Sequence, residues 1–141
     1  MDGFRFSTEI TVRFAETDAQ GIAHHASFVV WLEVARVAYL AEYAGGYGAM
    51  REQGIEALTT AVQLRYHRAV SFDDRIRVWT RCVGLRGARF RYEYALECGS
   101  ELVAEGHTDH ATVAADTWRP RRLPVSFLEA VARAEGAEAA R

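Results

Sequence analysis

The stretch ASFVVWLEVARVAYLAEY, residues 26–43, decides the fold. Its apolar side chains, Phe28, Val29, Val30, Trp31, Leu32, Val34, Ala35, Val37, Ala38, Tyr39 and Leu40, occupy nearly the whole circumference of a helix. Only Glu33 and Arg36, three apart, make a narrow polar stripe. A helix apolar almost all round is a buried one. Its β-branched valines weaken the intrinsic helical preference, so packing against other elements has to hold it. Gly45, Gly46 and Gly48 end it, and residues 49–53 read as one more short helical turn.

Outward from this helix the hydrophobic period changes to two. On the N-terminal side Ile10, Val12 and Phe14 alternate with Thr11 and Arg13. On the C-terminal side Val62, Leu64 and Tyr66 alternate with Gln63, Arg65 and His67, and Ile76 and Val78 with Arg77 and Trp79. Phe90, Tyr92, Tyr94 and Leu96 alternate with Arg91, Glu93 and Ala95, and residues 102–115 form a further extended segment. The gaps between these runs are short and rich in Gly, Asp and Ser, which suits antiparallel hairpins. Pro120 and Pro124 bracket a turn, and 126–135 reads as a closing helix with Ser126 as its N-cap. The order predicts an α+β architecture: a five-stranded antiparallel sheet wrapped around one long buried helix, with a short C-terminal helix. It is read as a single domain over residues 1–135, with 136–141 a small, charged tail that frays.

Bulk properties narrow the function classes. With 141 residues and a formal net charge of −2, the chain is long enough for a sizeable core and argues against nucleic acid as a partner. Cys82 and Cys98 lie far apart with no metal-ligand spacing, which reads as two packed thiols in a reducing compartment. The most apolar segment carries Glu33, Arg36 and Glu42 and makes a poor membrane span. The N-terminus lacks a basic-then-apolar leader pattern. These features together predict a cytoplasmic protein.

Chemistry concentrates in the loop Thr17-Asp18-Ala19-Gln20-Gly21. It places one carboxylate between a strand end and the start of the long helix. The first turn of a helix has free backbone N–H groups and a partial positive charge, donors that an enzyme can aim at a developing oxyanion. Asp18 reads as a group for attack on a polarised carbonyl, against the plainer role of capping a turn. Gly21 is compatible both with a turn needing positive φ and with close backbone approach to a substrate. His107 and His110, three apart, fall on opposite faces of a strand. Adjacent His24 and His25 point apart on any regular element, so no metal site is expected.

The run Arg13-Phe14-x-x-Thr17-Asp18-x-x-Gly21-Ile22-x-x-His25-Ala26-x-Phe28, followed by Trp31, Glu33 and Ala35-Arg36, resembles the hotdog-fold acyl-CoA thioesterases. It is most similar to the 4-hydroxybenzoyl-CoA thioesterase family, including its branch of short-chain acyl-CoA thioesterases linked to the Tol–Pal system. Tyr66 with Asp74, and Pro120-Arg121-Arg122-Leu123-Pro124, support the likeness. The resemblance implies hydrolysis of an acyl- or aroyl-CoA to free acid and CoA, with Asp18 as the catalytic carboxylate. It implies that the backbone N–H of His25, on the first turn of the helix, holds the thioester oxygen. It further implies edge-to-edge pairing of two sheets into a homodimer or homotetramer, with active sites at the subunit boundary. No cofactor is implied beyond the coenzyme A of the substrate. The chain departs from the pattern at His24, where an aromatic residue is common, and at Phe28, where Tyr is common. Ala88-Arg89 lacks a hydroxyl, and Ala69 replaces a common proline.

His24 and Phe28 are further candidates for substrate contact. For the phosphates of coenzyme A the candidates are Arg86 and Arg89 on one hairpin, and Arg121 and Arg122 after the last strand. The role of Asp18, nucleophile or general base, stays open at this level. So do the choice between CoA and an acyl-carrier thioester, the acyl group itself, and two alternatives. One is an enoyl-thioester hydratase or dehydratase using His24 or His25 beside Asp18; the other is a non-catalytic acyl-CoA-binding protein.

Overall fold

The computed structural model describes residues 1–136; the expectation of a frayed tail concerns residues that lie almost wholly outside this range. Five strands form one antiparallel sheet: β1 (Phe6–Thr11), β2 (Ile55–Tyr66), β3 (Arg75–Arg86), β4 (Arg89–Cys98) and β5 (Glu101–Ala114). Their order across the sheet is β1-β3-β4-β5-β2. Three helices complete the chain: α1 (Ser27–Tyr43), α2 (Ala49–Glu52) and α3 (Val125–Glu135). The expected α+β architecture is present, with α1 packed against one face of the sheet.

Helix α1 buries Phe28, Trp31, Leu32, Ala35 and Tyr39, a stripe at the three- and four-residue spacing of one helix face. From the sheet, Ile76, Val78, Cys82, Phe90, Tyr92, Tyr94 and Leu96 meet that stripe in one core cluster. Truncating a side chain such as Leu32, which is fully buried, costs about 2–5 kcal/mol in cores of this kind. The helix ends where Gly45 takes φ +78°, and the N–H groups of Ala44 and Gly46 both return to the Leu40 carbonyl.

Three expectations are corrected. The sheet does not enclose α1 on every side: Val29, Val30, Val34 and Val37 remain between 39% and 48% exposed, because five strands cover only one flank of a seventeen-residue helix. Phe14 does not continue the first strand. The strand stops at Thr11, and Phe14 opens a 3-10 turn, 76% exposed with its edge on the Phe72 ring. Ser126 does not cap α3: Pro124 holds that position without a side-chain cap, and the Ser126 hydroxyl instead accepts from Gln53 Nε2.

Strand β2 begins at Ile55, seven residues before the alternation that Val62 opens, and it carries a bulge between Thr59 and Ala61. It pairs with β5 along one side only and forms one edge of the sheet. Opposite it, Gly106 of β5 admits no side chain, since a Cβ there would collide with the Gln63 carbonyl.

Candidate active site

Residues 16–24 fold back on themselves as a miniature hairpin. The His24 N–H donates to the Glu16 carbonyl, Thr17 bridges Ala23, and the Asp18 N–H donates to the Ile22 carbonyl. The base of this hairpin is anchored by the Ala23 N–H on the Val70 carbonyl. Its tip is a turn closed by the Gly21 N–H on the Asp18 carbonyl. Gly21 takes φ +80°, and a methyl group on its α-carbon would meet nothing within 4 Å. The turn therefore needs glycine for its backbone conformation and not for want of space. Asp18 Oδ1 accepts the Gln20 N–H at 2.8 Å, the local turn that aspartate favours. Among the described residues Asp18 Oδ2 accepts no hydrogen bond, so the side chain both holds its turn and keeps one oxygen for other work.

The chain next enters α1 through tight turns. Ser27, Phe28 and Val29 donate their N–H groups to the carbonyls of His24, His25 and Ala26. His25 thus sits two residues ahead of the first helical residue, not on the first turn of the helix as expected. Among the described residues its N–H has no acceptor. Its carbonyl receives the Tyr66 hydroxyl at 2.9 Å, which pins the residue from the end of β2. The His24 and His25 rings stack with centroids 4.2 Å apart, contrary to the expectation that they point apart, because they lie in a turn and not on a regular element. His24 Nδ1 accepts the Ala26 N–H at 3.1 Å, so that histidine shapes the helix entry. Phe28 is buried against the Trp31 ring and the edge of Tyr66 and faces the core.

One supporting residue carries no sequence signal of its own. Glu16 is 7% exposed. Burial pushes its carboxyl upward, but the Arg13 N–H, the Trp31 indole and the Arg13 guanidinium outweigh that and hold it below its ordinary value. It fixes the start of the hairpin that carries Asp18.

The four arginine candidates come together. The Leu123 N–H donates to the Gly87 carbonyl and the Thr112 N–H to the Ala88 carbonyl, while Thr112 Oγ1 donates to the Arg121 carbonyl. The segment carrying Arg121 and Arg122 therefore runs alongside the hairpin carrying Arg86 and Arg89, and all four are exposed. None of the four pairs with a carboxylate among the described residues. This basic corner lies at the Gly87 end of β3. The Asp18 loop lies at the other end, where the Val12 N–H meets the Asp74 carbonyl.

A cavity of about 240 Å³ opens between the C-terminal half of α1, α2 and the Ile55–Thr59 part of β2. Its lining includes Arg36, Thr59, Tyr92 and His110. His107 and His110 do face opposite sides of β5, His110 inward and 5% exposed, His107 on the outer face. No helix among the described residues is long and apolar enough to cross a membrane.

The model of the thioesterase-like superfamily matches residues 12–134. Over 120 residues the chain is 28% identical to YneP of Bacillus subtilis (strain 168), provisionally named an acyl-CoA thioesterase, covering 84% of this chain and 87% of that one. It is 23% identical over 124 residues to the acyl-CoA thioester hydrolase YbgC of Escherichia coli O6:H1, covering 87% and 92%. Among solved structures, the DHNA-CoA thioesterase of Staphylococcus aureus superposes with a TM-score of 0.84 at 30% identity, covering 90% of this chain and 88% of that one.

Proposed function

The chain belongs to the thioesterase-like superfamily as a hotdog-fold thioester hydrolase, and we propose that it cleaves an acyl- or aroyl-CoA to the free acid and CoA with Asp18 as the reacting carboxylate. The observation that carries this reading is the His25 N–H, a backbone donor without an acceptor among the described residues, at the mouth of α1 and beside the hairpin that presents Asp18. A thioester carbonyl seated on that donor gains both a hydrogen bond and the partial positive charge of the helix entry. Asp18 then either attacks the carbonyl carbon, forming a mixed anhydride and expelling the CoA thiolate, or takes a proton from the water that attacks. Label found in the Asp18 peptide after a single turnover in heavy-oxygen water marks the anhydride opened at the Asp18 carbonyl, and trapping of the enzyme with hydroxylamine during turnover tests for an anhydride opened at the acyl carbonyl. Free-thiol release across aryl-, short- and long-chain acyl-CoAs tests the activity itself, and an acyl-carrier-protein thioester in the same assay tests the alternative donor. Placement in the Tol–Pal-linked branch is part of this proposal and rests on the run from Arg13 to Phe28.

The working unit in this reading is a homodimer joined through β2. That strand is a twelve-residue open edge, and open edges pair or are covered. Val62 is 44% exposed on it, and the four valines of α1 that the sheet leaves uncovered are 39–48% exposed. Antiparallel pairing of β2 with its own copy sets the Tyr66 end of one protomer against the Ile55 end of the other. In an isolated chain the Tyr66 end lies far from the cavity wall: at about 3.4 Å per residue, Tyr66 and Thr59 of that wall are separated by roughly 24 Å. Pairing closes that gap. The Asp18 and His25 loop of one protomer then faces the cavity of its partner and, beyond it, the partner's basic corner, where Arg86, Arg89, Arg121 and Arg122 meet the CoA phosphates.

A further inference from the structure

The cavity beneath α1 is not lined as a slot for a plain alkyl chain. Tyr92 is 2% exposed and lines it, yet the Tyr92 hydroxyl has no hydrogen-bond partner among the described residues. A buried hydroxyl left unpaired is costly, and such a group in a native structure calls for an explanation.

Two other residues of the lining, Arg36 and His110, are joined through a row of hydrogen bonds. Arg36 Nη1 donates to the Tyr94 hydroxyl at 3.1 Å. The Tyr94 and Thr108 hydroxyls are 2.7 Å apart, and Thr108 Oγ1 lies 2.7 Å from His110 Nε2. Only one orientation gives every proton in this row an acceptor. Tyr94 accepts from Arg36 and donates to Thr108, which donates to His110 Nε2. The imidazole is then neutral with its proton on Nδ1. That agrees with burial and the nearby Arg36 charge, which push His110 down to about 4 against a weaker opposing pull from Asp109. The Nδ1–H faces Thr59 Oγ1 at a long 3.4 Å.

The cavity thus gathers donors on one wall, the unpartnered Tyr92 O–H, the loosely held His110 Nδ1–H and the guanidinium of Arg36, while its lining also includes the carboxylates Glu33 and Glu56. Arg51, also in the lining, is already neutralised by Glu56 at 2.9 Å. Arg36 forms no ion pair among the described residues, including with Glu33 one turn away.

We propose that this cavity selects acyl groups bearing an acceptor oxygen, a carbonyl or a carboxylate, well beyond the thioester, and that Tyr92, His110 and Arg36 read that oxygen. This rests on the assignment of the chain as an acyl-CoA hydrolase and of the cavity as the acyl end of the site. A plain alkyl tail filling the space leaves the Tyr92 hydroxyl unpaired and strips water from Arg36. An oxygenated tail satisfies both. Sites built around hydrogen bonds discriminate against the analogue lacking the polar atom far more strongly than apolar sites discriminate by size.

Non-hydrolysable CoA thioethers of equal chain length test this without needing turnover. Three tails are compared by calorimetry on the dimer: plain alkyl, methyl ketone and carboxylate. The wild type should bind at least one oxygenated tail about tenfold or more tighter than the plain one, the equivalent of one net hydrogen bond. Tyr92→Phe should cut that preference by about tenfold without lowering the Tm of the free protein, since it removes only an unpartnered hydroxyl. Arg36→Met should weaken the carboxylate tail more than the ketone if a carboxylate is the true group, and both alike if a carbonyl is. Equal affinity for all three tails in the wild type overturns the proposal while leaving the acyl-CoA reading intact. So does a preference that Tyr92→Phe leaves unchanged. Failure of every CoA thioether to bind the folded protein overturns both readings.

Discussion

The indole N–H of Trp31 donates to the buried Glu16 carboxylate at 2.7 Å, tying the first turns of α1 to the hairpin that presents Asp18. The same carboxylate accepts the Arg13 N–H at 2.8 Å. Three elements, the segment that follows the first strand, the hairpin and the helix, are thereby fixed to one another at a single side chain.

Glu16→Gln should lower stability by about 1–3 kcal/mol, the span for disturbing a buried, charge-assisted hydrogen bond. The pH dependence has a definite sign. The folded carboxyl is held below its ordinary value, so its stabilisation is full above the usual carboxylate range and is lost as pH falls through the lowered folded value. Melting curves between neutral and acid pH should show a smaller acid loss in the variant than in the wild type.

Asp18→Asn should reduce kcat by about 10²–10⁴, as removal of a positioned acid–base group does. Its Tm should stay close to that of the wild type, because the Asn amide oxygen can still accept the Gln20 N–H that Asp18 holds at 2.8 Å. Unchanged turnover with a large drop in Tm would assign Asp18 to its turn alone.

Light scattering at micromolar concentration should give at least twice the 15.8 kDa chain mass. Val62→Lys combined with Val34→Lys should shift the protein toward monomer and abolish turnover, since each site in this reading takes residues from two chains. Asp18 variants should leave the mass unchanged.

The basic corner should bind the nucleotide end of the substrate. Arg86→Ala/Arg89→Ala, and separately Arg121→Ala/Arg122→Ala, should raise KM for an acyl-CoA and not for the same acyl group on a truncated pantetheine thioester. The rise should shrink with salt, since exposed charges are screened over about 8 Å at physiological ionic strength. Equal KM changes for both substrates would make these arginines ordinary surface charge.

His110 should set part of the acid sensitivity. Burial and Arg36 push it from 6.5 down to about 4, so in this range the unfolded chain takes up the proton that the folded one refuses. Stability is then unaffected above about pH 6.5 and falls between there and about pH 4, by at most roughly 3 kcal/mol at 1.36 kcal/mol per pKa unit. His110→Gln should flatten the Tm profile in that window.

Helix α1 was legible almost to the residue, because an apolar run bounded by glycines has few other solutions. The strands with clean alternation, β3 and β4, were equally plain. The first half of β2 was hidden: Glu56, Ala57, Leu58, Thr59 and Thr60 do not alternate, since this stretch combines an open edge, a bulge and a cavity wall. Asp18 stood out by its motif, but Glu16 did not, for a carboxylate that accepts an indole N–H fifteen residues later leaves no pattern. The convergence of Arg36, Tyr92 and His110 was invisible for the same reason. Helix and strand periodicities show which face each side chain takes, not which side chains of three separate elements end up together.

The open edge of β2 also has a genetic consequence under the proposed pairing. When two differently damaged copies are made in one cell, one lacking the Asp18 carboxylate and the other with a ruined cavity, a mixed pair carries both lesions in one of its sites and neither in the other. Two alleles that are silent alone would then complement each other, up to half the normal output of each mixed pair. A strand left unpaired along one side thus turns a property of one polypeptide into a shared inheritance of two.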